Sequence, residues 1–300
     1  MVVVRGEGHD TGAALVTEPV VVVRVDDDPA ARHRWADLVV HSKEVDAVVA
    51  RLERAPRAAV SLALLLRALP GVGVESGLAM ESAVYSMLQA GPEFAHWRST
   101  QPAAPVADDA PCVMIDRIGS QLVLTLDRPR RHNAISTRMR NELCDALVLP
   151  LIDDSISSVV LRGNGPSFCS GGDLDEFGSR ADPATAHMVR LARSPGRLIH
   201  RQREIVRVQI HGAAIGGGIE MAAFAGRVEI DPDAIISLPE LELGLIPGAG
   251  GTVSVSRRIG RERTAQLALG GRVLDGRSAV EWGLADRLLE PGSLLSAVAD

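Results

Sequence analysis

Two glycine-rich segments each follow a β-strand pattern and lead towards a helix pattern. The first is GNGPSFCSGGDLDEF (163–177) and the second is HGAAIGGGIE (211–220). Glycine has no Cβ, so its backbone can approach a ligand closely, and free N–H groups at a helix start favour negative charge. If the segments lie side by side, two N–H groups can bind one oxygen as an oxyanion hole. The structural alternative is tight packing, with Glu220 capping its own helix.

Three glutamates are candidates for acid–base chemistry. Glu220 lies within the apolar run IGGGIEMAAF (215–224), so we expect partial burial, which raises the pKa of a carboxyl group and suits proton transfer. Glu240 and Glu242 alternate with leucine in LPELELGL (238–245), and a strand would place both on one face. The pattern alone does not choose between them, and a solvated strand residue is the alternative for either.

The other reactive residues match no familiar kind of site. The sequence has no GxxxxGK[ST] and no GxGxxG after a strand, and Phe168 stands where a GxSxG nucleophile turn needs glycine. Cys112, Cys144 and Cys169 match no zinc or disulfide spacing, so we expect reduced thiols. We interpret two histidines as packed or hydrogen-bonded residues: His132 and His211.

The composition is that of a soluble globular protein. The 300 residues are 46% hydrophobic and 23% charged, with a net charge of -6, which argues against nucleic acid as the main partner. Lys43 is the only lysine, so an anion site would use arginine or backbone N–H groups. The longest apolar run, 59–69, is too short to span a bilayer, and the N-terminus does not resemble a signal peptide. We predict a cytoplasmic protein with no membrane partner.

A proline- and alanine-rich linker is predicted at 99–110 and divides the chain in two. Residues 1–98 form an N-terminal region without a chemical motif. Its patterns predict a strand near 19–28 and helices near 30–54, 58–69 and 75–90. Three polar residues of this region are interpreted as surface or capping residues: Glu81, Tyr85 and Glu93.

Residues 111–300 alternate strand and helix patterns, which indicates an α/β domain with a largely parallel sheet. Two strands joined at Gly119-Ser120 are predicted within 113–129, and a helix follows near 136–148. Further strand patterns lie at 157–163, 205–212 and 227–240. A third glycine turn, PGAGG (247–251), precedes another predicted helix.

Five ordered motifs resemble those of the crotonase superfamily, the enoyl-CoA hydratase and isomerase group. The resemblance covers residues 110–290, about three fifths of the chain. Each motif alone is moderately specific, whereas the ordered set is strong. The motifs are RPRRHNAIS (128–136), FCSGGDL (168–174), IHGAAIGGGIEMA (210–222), LPELELGLIPGAGGT (238–252) and GRVLDGRSAVEWGLAD (271–286).

The resemblance implies a crotonase-like spiral of βαβ units, here preceded by a mostly helical N-terminal region, and assembly as homotrimers or hexamers. It also implies an acyl-CoA thioester substrate, no metal and no cofactor. By position, Gly172 and Gly217 would supply the oxyanion N–H groups, and Glu220 and Glu240 would be the two hydratase glutamates. The remaining substrate-binding positions are Asp173, Leu174 and Arg130.

The sequence departs from the family in two ways. Relatives continue beyond WGLADRLLEPGS (282–293) into helices that support the trimer and close the acyl pocket. We therefore expect a core at 111–300 without those helices and predict that the N-terminal region substitutes for them. Asp175 stands where relatives often carry a basic residue near the CoA phosphates. Candidate replacements for that charge are Arg128, Arg130 and Arg131.

Three functions are compatible with these residues. Hydration of a trans-2-enoyl-CoA to a 3-hydroxyacyl-CoA is favoured because both glutamates are present. Isomerisation, or other enolate chemistry such as cofactor-free oxidation of an aryl-acetyl-CoA, can use a single carboxylate base. A non-catalytic crotonase-like subunit is the third. It would be supported if the two glycine segments failed to converge, or if the N-terminal region filled the site.

Overall fold

The computed structural model describes residues 2–5, 18–28, 35–101, 110–178 and 182–290. Most of the linker predicted at 99–110 therefore lies outside the described residues. The division of the chain at that linker stays a prediction.

The main elements follow from short aliphatic strand patterns and longer amphipathic helix patterns. The strands are β1 Val2–Arg5, β2 Val22–Val25, β3 Leu38–Val40, β4 Val113–Ile118, β5 Gln121–Leu126, β6 Ser158–Gly163, β7 Val206–Ile210, β8 Ala213–Ile215, β9 Arg227–Ile230, β10 Ile235–Ser237 and β11 Arg287–Leu288. The helices are α1 Val45–Arg54, α2 Pro56–Ala68, α3 Val74–Gln89, α4 Pro92–Ser99, α5 Thr137–Ile152, α6 Pro183–Ala192, α7 Pro195–Arg201, α8 Gly217–Ala222, α9 Gly251–Ala268 and α10 Gly276–Trp282. Short 3-10 helices lie at Ser42–Glu44, Pro129–Arg131, Leu174–Glu176 and Glu240–Leu243.

The main sheet has the strand order β11-β9-β7-β6-β5-β4. All neighbours are parallel except β4, which forms an antiparallel hairpin with β5. Leu161, Val208 and Val228 in the central strands are completely buried, as expected where both faces of a parallel sheet are covered. The predicted α/β class with a largely parallel sheet is confirmed.

A second, shorter layer makes the chain a spiral. After each of four strands in the main sheet, the chain adds an extended segment to this layer. β8 pairs with β10 in parallel, and isolated parallel bridges join Cys169 to Ala214 and Ile135 to Gly172. Each turn of the spiral therefore lies next to the corresponding part of the next turn, and the two glycine-rich segments are neighbours.

The N-terminal region packs on this spiral. Strands β1, β2 and β3 form a small parallel sheet. Helix α2 packs on α9, and α3 packs on both α6 and α9. The α3–α9 approach is close, because a Cβ at Gly77 would lie 2.9 Å from Val253 Cγ2. Among the described residues, no helix is long and apolar enough to cross a membrane.

The helix predicted at 30–54 is wrong for residues 35–41, and residues 30–34 of that prediction lie outside the described residues. Leu38–Val40 is a strand, and α1 begins only at Val45. The interruption is a capping box, in which His41 accepts from the backbone of the following 3-10 helix and Glu44 accepts from His41 N–H. Helix α4 was not anticipated.

Candidate active site

A cavity of about 450 Å³ opens where the second layer of the spiral faces α3 and α6. Both glycine-rich segments contribute to its wall, and so do Glu220 and Glu240. The N-terminal region contributes Tyr85 and Gln89 from α3. The cavity is therefore built jointly by the spiral and by the N-terminal region.

The amides of Gly172 and Gly217 converge in this cavity. Cys169 pairs with Ala214, and each glycine lies three residues further along its own segment. A Cβ built on Gly217 would lie 3.8 Å from the Gly172 nitrogen. Within the part of the chain that the structure describes, neither amide donates a hydrogen bond to another group. Two donors therefore face the same small space.

Each of the three consecutive glycines has different steric surroundings. Gly216 has φ 48° and ψ −123°, which side chains other than glycine rarely adopt, and a Cβ there would overlap Glu240 Oε1. A Cβ at Gly218 would lie 2.5 Å from the carbonyl oxygen of Cys169. Gly217 has more room, with the nearest atom 3.3 Å from the Cβ position. Only Gly217 borders the space between the two amides without being required by packing.

Glu220 lies on α8 and is 2% exposed. Its Oε2 accepts hydrogen bonds from Ala249 N at 2.7 Å and from Gly251 N at 2.8 Å. Burial raises the pKa of Glu220 to about 7, although these two hydrogen bonds act in the opposite direction. The alternative that Glu220 caps its own helix is wrong, because its carboxylate binds the next glycine turn instead.

Glu240 is 8% exposed and lies beside Glu220 in the cavity wall. Burial, followed by the neighbouring charge of Glu220, raises the pKa of Glu240 well above its usual value. Its Oε2 is buried and has no hydrogen-bond partner among the described residues. A carboxyl group in these surroundings holds its proton to higher pH.

Glu242 and Glu240 lie in different surroundings because of the local backbone conformation. A strand would have placed both glutamates on one face, but Glu240–Leu243 is a 3-10 helix that ends at Gly244 with φ 70°. The Glu242 side chain is 57% exposed and forms an ion pair with Arg51 at 2.7 Å. Glu242 therefore lies at the rim of the cavity, whereas Glu240 is buried within it.

The predicted substrate-binding residues differ in their surroundings. Asp173 borders the cavity, but its buried carboxylate is bound by Arg128 at 2.9 Å and by Arg131 at 3.1 Å. Leu174 is exposed and borders the cavity. Arg130 is exposed and does not contribute to the cavity wall. The structure therefore groups Asp173 and Leu174 with the glutamates, but not Arg130.

The charge near Asp175 is already balanced within the protein. Arg131 forms an ion pair with Asp175 as well as with Asp173. Arg128 is buried against Asp173. Of the three arginines considered for the CoA phosphates, only Arg130 is both exposed and outside this ion-pair group.

Two functional candidates in the N-terminal region were missed. Glu81 is 1% exposed, and its carboxylate accepts from Gly250 N and Thr252 N at 2.7 and 2.9 Å. Tyr85, one turn further along α3, is buried and borders the cavity. Neither is a surface residue, but Glu81 does cap the start of α9, so the capping part of the interpretation holds for Glu81. The available signal was a carboxylate within the apolar pattern GLAMESAVYSML (77–88), the same signal that identified Glu220.

Two other interpretations hold. Glu93 is a capping residue, because its carboxylate accepts from Arg57 N and Ala58 N at the start of α2. His211 is hydrogen-bonded through Nε2 to the carbonyl of Gly165 at 2.8 Å. Across the described ranges, no group of three or more His, Cys, Asp or Glu side chains is arranged to hold a metal ion.

The chain is similar in sequence to known proteins. Residues 118–298 match the family model for enoyl-CoA hydratase/isomerase. An enoyl-CoA isomerase/hydratase of Mycosarcoma maydis is 34% identical over 182 residues, which cover 57% of this chain and 65% of that protein. The 2,3-dehydroadipyl-CoA hydratase of Escherichia coli K12 is 31% identical over 172 residues, which cover 57% of this chain and 67% of that protein.

Solved structures agree in fold. An enoyl-CoA hydratase from Thermoplasma volcanium superposes with a TM-score of 0.57 at 30% identity, over 63% of this chain and 76% of that one. A Thermobifida fusca protein solved in complex with CoA gives a TM-score of 0.55 at 29% identity, over 63% and 76% of the two chains. The chain spans just under two thirds of the first two curated relatives, at 65% and 64% of their lengths.

Proposed function

We propose that this chain, which belongs to the enoyl-CoA hydratase/isomerase family of the crotonase superfamily, hydrates a trans-2-enoyl-CoA to a 3-hydroxyacyl-CoA. The observation that carries the proposal is the cavity in which two buried glutamates, Glu220 and Glu240, adjoin the paired amides of Gly172 and Gly217. Hydration needs one base, one acid and one site for negative charge, and this cavity offers one group for each.

The surroundings of the two glutamates differ, and this difference supports a separate role for each. Backbone hydrogen bonds to Glu220 Oε2 favour its ionised form. Glu220 is therefore the base that takes a proton from the attacking water as its oxygen bonds to C3. The pKa of Glu240 is raised well above its usual value by burial and by Glu220, so Glu240 keeps its proton. Glu240 is the acid that delivers this proton to the α-carbon.

Negative charge develops on the thioester oxygen as the double-bond electrons move away from C3. The amides of Gly172 and Gly217 would both donate to that oxygen. One such donor typically contributes about 2.7–4 kcal/mol to transition-state stabilisation. These steps are proton transfers and a C–O bond formation, so the proposal invokes neither a metal nor a redox cofactor.

The alternatives make different demands on the site. A non-catalytic subunit is disfavoured because the glycine segments converge and the cavity stays open beside Tyr85. Isomerisation needs one carboxylate that removes a proton and returns it. It is the runner-up, and the same experiment separates it from hydration. The homotrimer or hexamer, and the cytoplasmic location, stay predictions.

The test is the loss of 2-enoyl thioester absorbance with crotonyl-CoA and with a longer enoyl-CoA. Glu220→Gln and Glu240→Gln should each lose most of the wild-type rate. Glu242→Gln is the matched control from the same 3-10 helix and should keep it, because Glu242 is ion-paired at the rim. If only one of the two buried glutamates matters, isomerase-like chemistry is favoured. If wild type is inactive on both thioesters, the hydratase proposal is wrong.

A further inference from the structure

The glycine turn before α9 is shared between two carboxylates from different parts of the chain. Its four successive amides donate alternately. Ala249 N and Gly251 N bind Glu220 at 2.7 and 2.8 Å, whereas Gly250 N and Thr252 N bind Glu81 at 2.7 and 2.9 Å. Consecutive N–H groups that point to opposite sides of the turn produce this alternation. The orientation of one set therefore fixes the orientation of the other.

Glu81 is built into this position from the N-terminal side. It lies on α3, which packs on α9. The Thr252 hydroxyl also bonds Glu81 Oε2 at 2.6 Å, so three hydrogen bonds hold one carboxyl group that is 1% exposed. A Cβ at Gly251 would lie 2.6 Å from Glu220 Cγ, which shows how closely the turn encloses Glu220. Any movement of the turn would displace the Glu220 oxygen.

We propose that Glu81 is a positioning residue for Glu220, through which the N-terminal region sets the orientation of the base. The inference rests on the proposed function for its kinetic consequences, but its structural claim concerns Glu220 alone. Glu81 holds the turn that presents two amides to Glu220, and it places a second acidic group against the base. The family motifs at 168–174 and 210–222 do not contain it.

The charges around Glu81 come from four elements. Glu220 on α8 and Glu240 on the 3-10 helix are like charges, whereas Arg190 on α6 is the opposing one. Tyr85 lies on α3 itself, with the Arg190 guanidinium 4.6 Å from its ring centre. Burial, followed by Glu220, raises the pKa of Glu81 to about 8. Glu220, with a pKa of about 7, ionises first, so Glu81 is largely uncharged where the base titrates.

Glu81→Gln is the variant that tests the role, and Glu93→Gln is its matched control. Glu93 also accepts two backbone N–H groups at a helix start, Arg57 N at 2.8 Å and Ala58 N at 3.0 Å, but it does so at α2. Both variants replace one acceptor oxygen by an NH2 group that faces an N–H donor. Both should lose stability, whereas only Glu81→Gln should change the base.

The kinetic expectation has two parts. In Glu81→Gln, kcat should fall roughly ten- to hundredfold, since misplacement of a reacting group by about 1 Å can cost about 10²-fold. The acid limb of the pH profile for kcat/KM should also move to higher pH, because the displaced turn weakens the hydrogen bonds from Ala249 N and Gly251 N that lower the pKa of Glu220. Glu93→Gln should leave kcat and the limb unchanged. A purely structural role for Glu81 predicts that both variants behave alike, and that result would overturn the proposal.

A readout independent of activity is the carboxyl ¹³C NMR titration of Glu220 in the full chain, assigned with Glu220→Gln. The titration of Glu220 should move to higher pH in Glu81→Gln, because its two backbone donors are displaced, and stay in place in Glu93→Gln. A Glu220 signal unmoved by Glu81→Gln overturns the inference. If wild type does not hydrate enoyl-CoA but the titration moves, the proposed function fails while the inference stands.

Thr252→Val covers the case in which Glu81→Gln does not fold. The substitution keeps the backbone donor and the branched shape but removes the hydroxyl that bonds Glu81 at 2.6 Å. Because one of three hydrogen bonds is lost, kcat should fall about two- to fivefold, less than the effect of a lost acceptor. Unchanged kcat in a folded Thr252→Val protein contradicts the proposal.

Discussion

Gly217→Ala separates the chemistry of the second glycine segment from its packing. A methyl group there would lie 3.3 Å from Ile135 Cδ1 and 3.4 Å from Ala249 Cβ, which is tight but without overlap. Alanine also favours helix over glycine by about 1 kcal/mol. The two effects oppose each other, so the free energy of unfolding should change by less than about 1 kcal/mol.

The same methyl group would lie in the space that the two amides face. It would be 3.8 Å from Gly172 N, whereas an oxygen bound by both amides must lie about 2.9 Å from each. The thioester oxygen would then have to move away from at least one donor. The loss of one oxyanion donor costs about 10²–10³ in kcat, or about 2.7–4 kcal/mol. We expect a loss of that size with crotonyl-CoA.

Substitutions of two other glycines serve as comparisons for Gly217→Ala. Gly216→Ala should lose stability as well as activity, because φ 48° costs an alanine about 1–3 kcal/mol and its methyl overlaps Glu240 Oε1. Gly73→Ala should leave the rate unchanged, since no atom lies within 4 Å of its Cβ position. Its loss of stability should stay below about 1 kcal/mol, because alanine is a poorer N-cap of α3 than glycine. The assays are thioester absorbance and urea unfolding. A folded Gly217→Ala protein within threefold of wild type in kcat/KM refutes the oxyanion role.

Two further predictions concern stability. The free energy of unfolding should fall as pH rises from about 5 to 8, because Glu220 and Glu81 titrate at about 7 and 8 when folded but near the ordinary value of 4.5 when unfolded. Urea unfolding at several pH values checks this, and a rise across the window contradicts it. Asp173→Asn should destabilise by about 3–5 kcal/mol, because it leaves the buried Arg128 guanidinium without its carboxylate. Urea unfolding measures it, and a loss below about 1 kcal/mol would mean that the pair is not a buried one in solution.

The sequence predicted elements best where its local pattern and its final environment agree. The strands around Gly119-Ser120 and the helix after Ser136 are examples. The alternation in LPELELGL did not correspond to a strand, because alternation is only one of the signals that determine local structure. Pro239 has no N–H to donate to a β-ladder, and Gly244 turns the chain with φ 70°, so the segment closes into a 3-10 helix. Burial of Glu240 follows from that turn and not from alternation.

The candidate site was predictable as far as the ordered motifs reach. Gly172, Gly217, Glu220 and Glu240 lie on consecutive turns of one spiral, so their convergence follows from the regular register of its second layer. Glu81 does not belong to that spiral. A helix pattern predicts which residues share a face of α3, but it does not predict against which surface that face will pack.

The turn PGAGGT (247–252) is the place where both parts of the chain depend on each other. Its amides are buried donors, and an unpaired buried donor costs about 1–3 kcal/mol. Glu220 satisfies only two of the four, and Glu81 satisfies the others. A spiral without residues 1–98 would leave Gly250 N and Thr252 N without acceptors beside its own base. The N-terminal region is therefore part of this site, together with the spiral of the family fold.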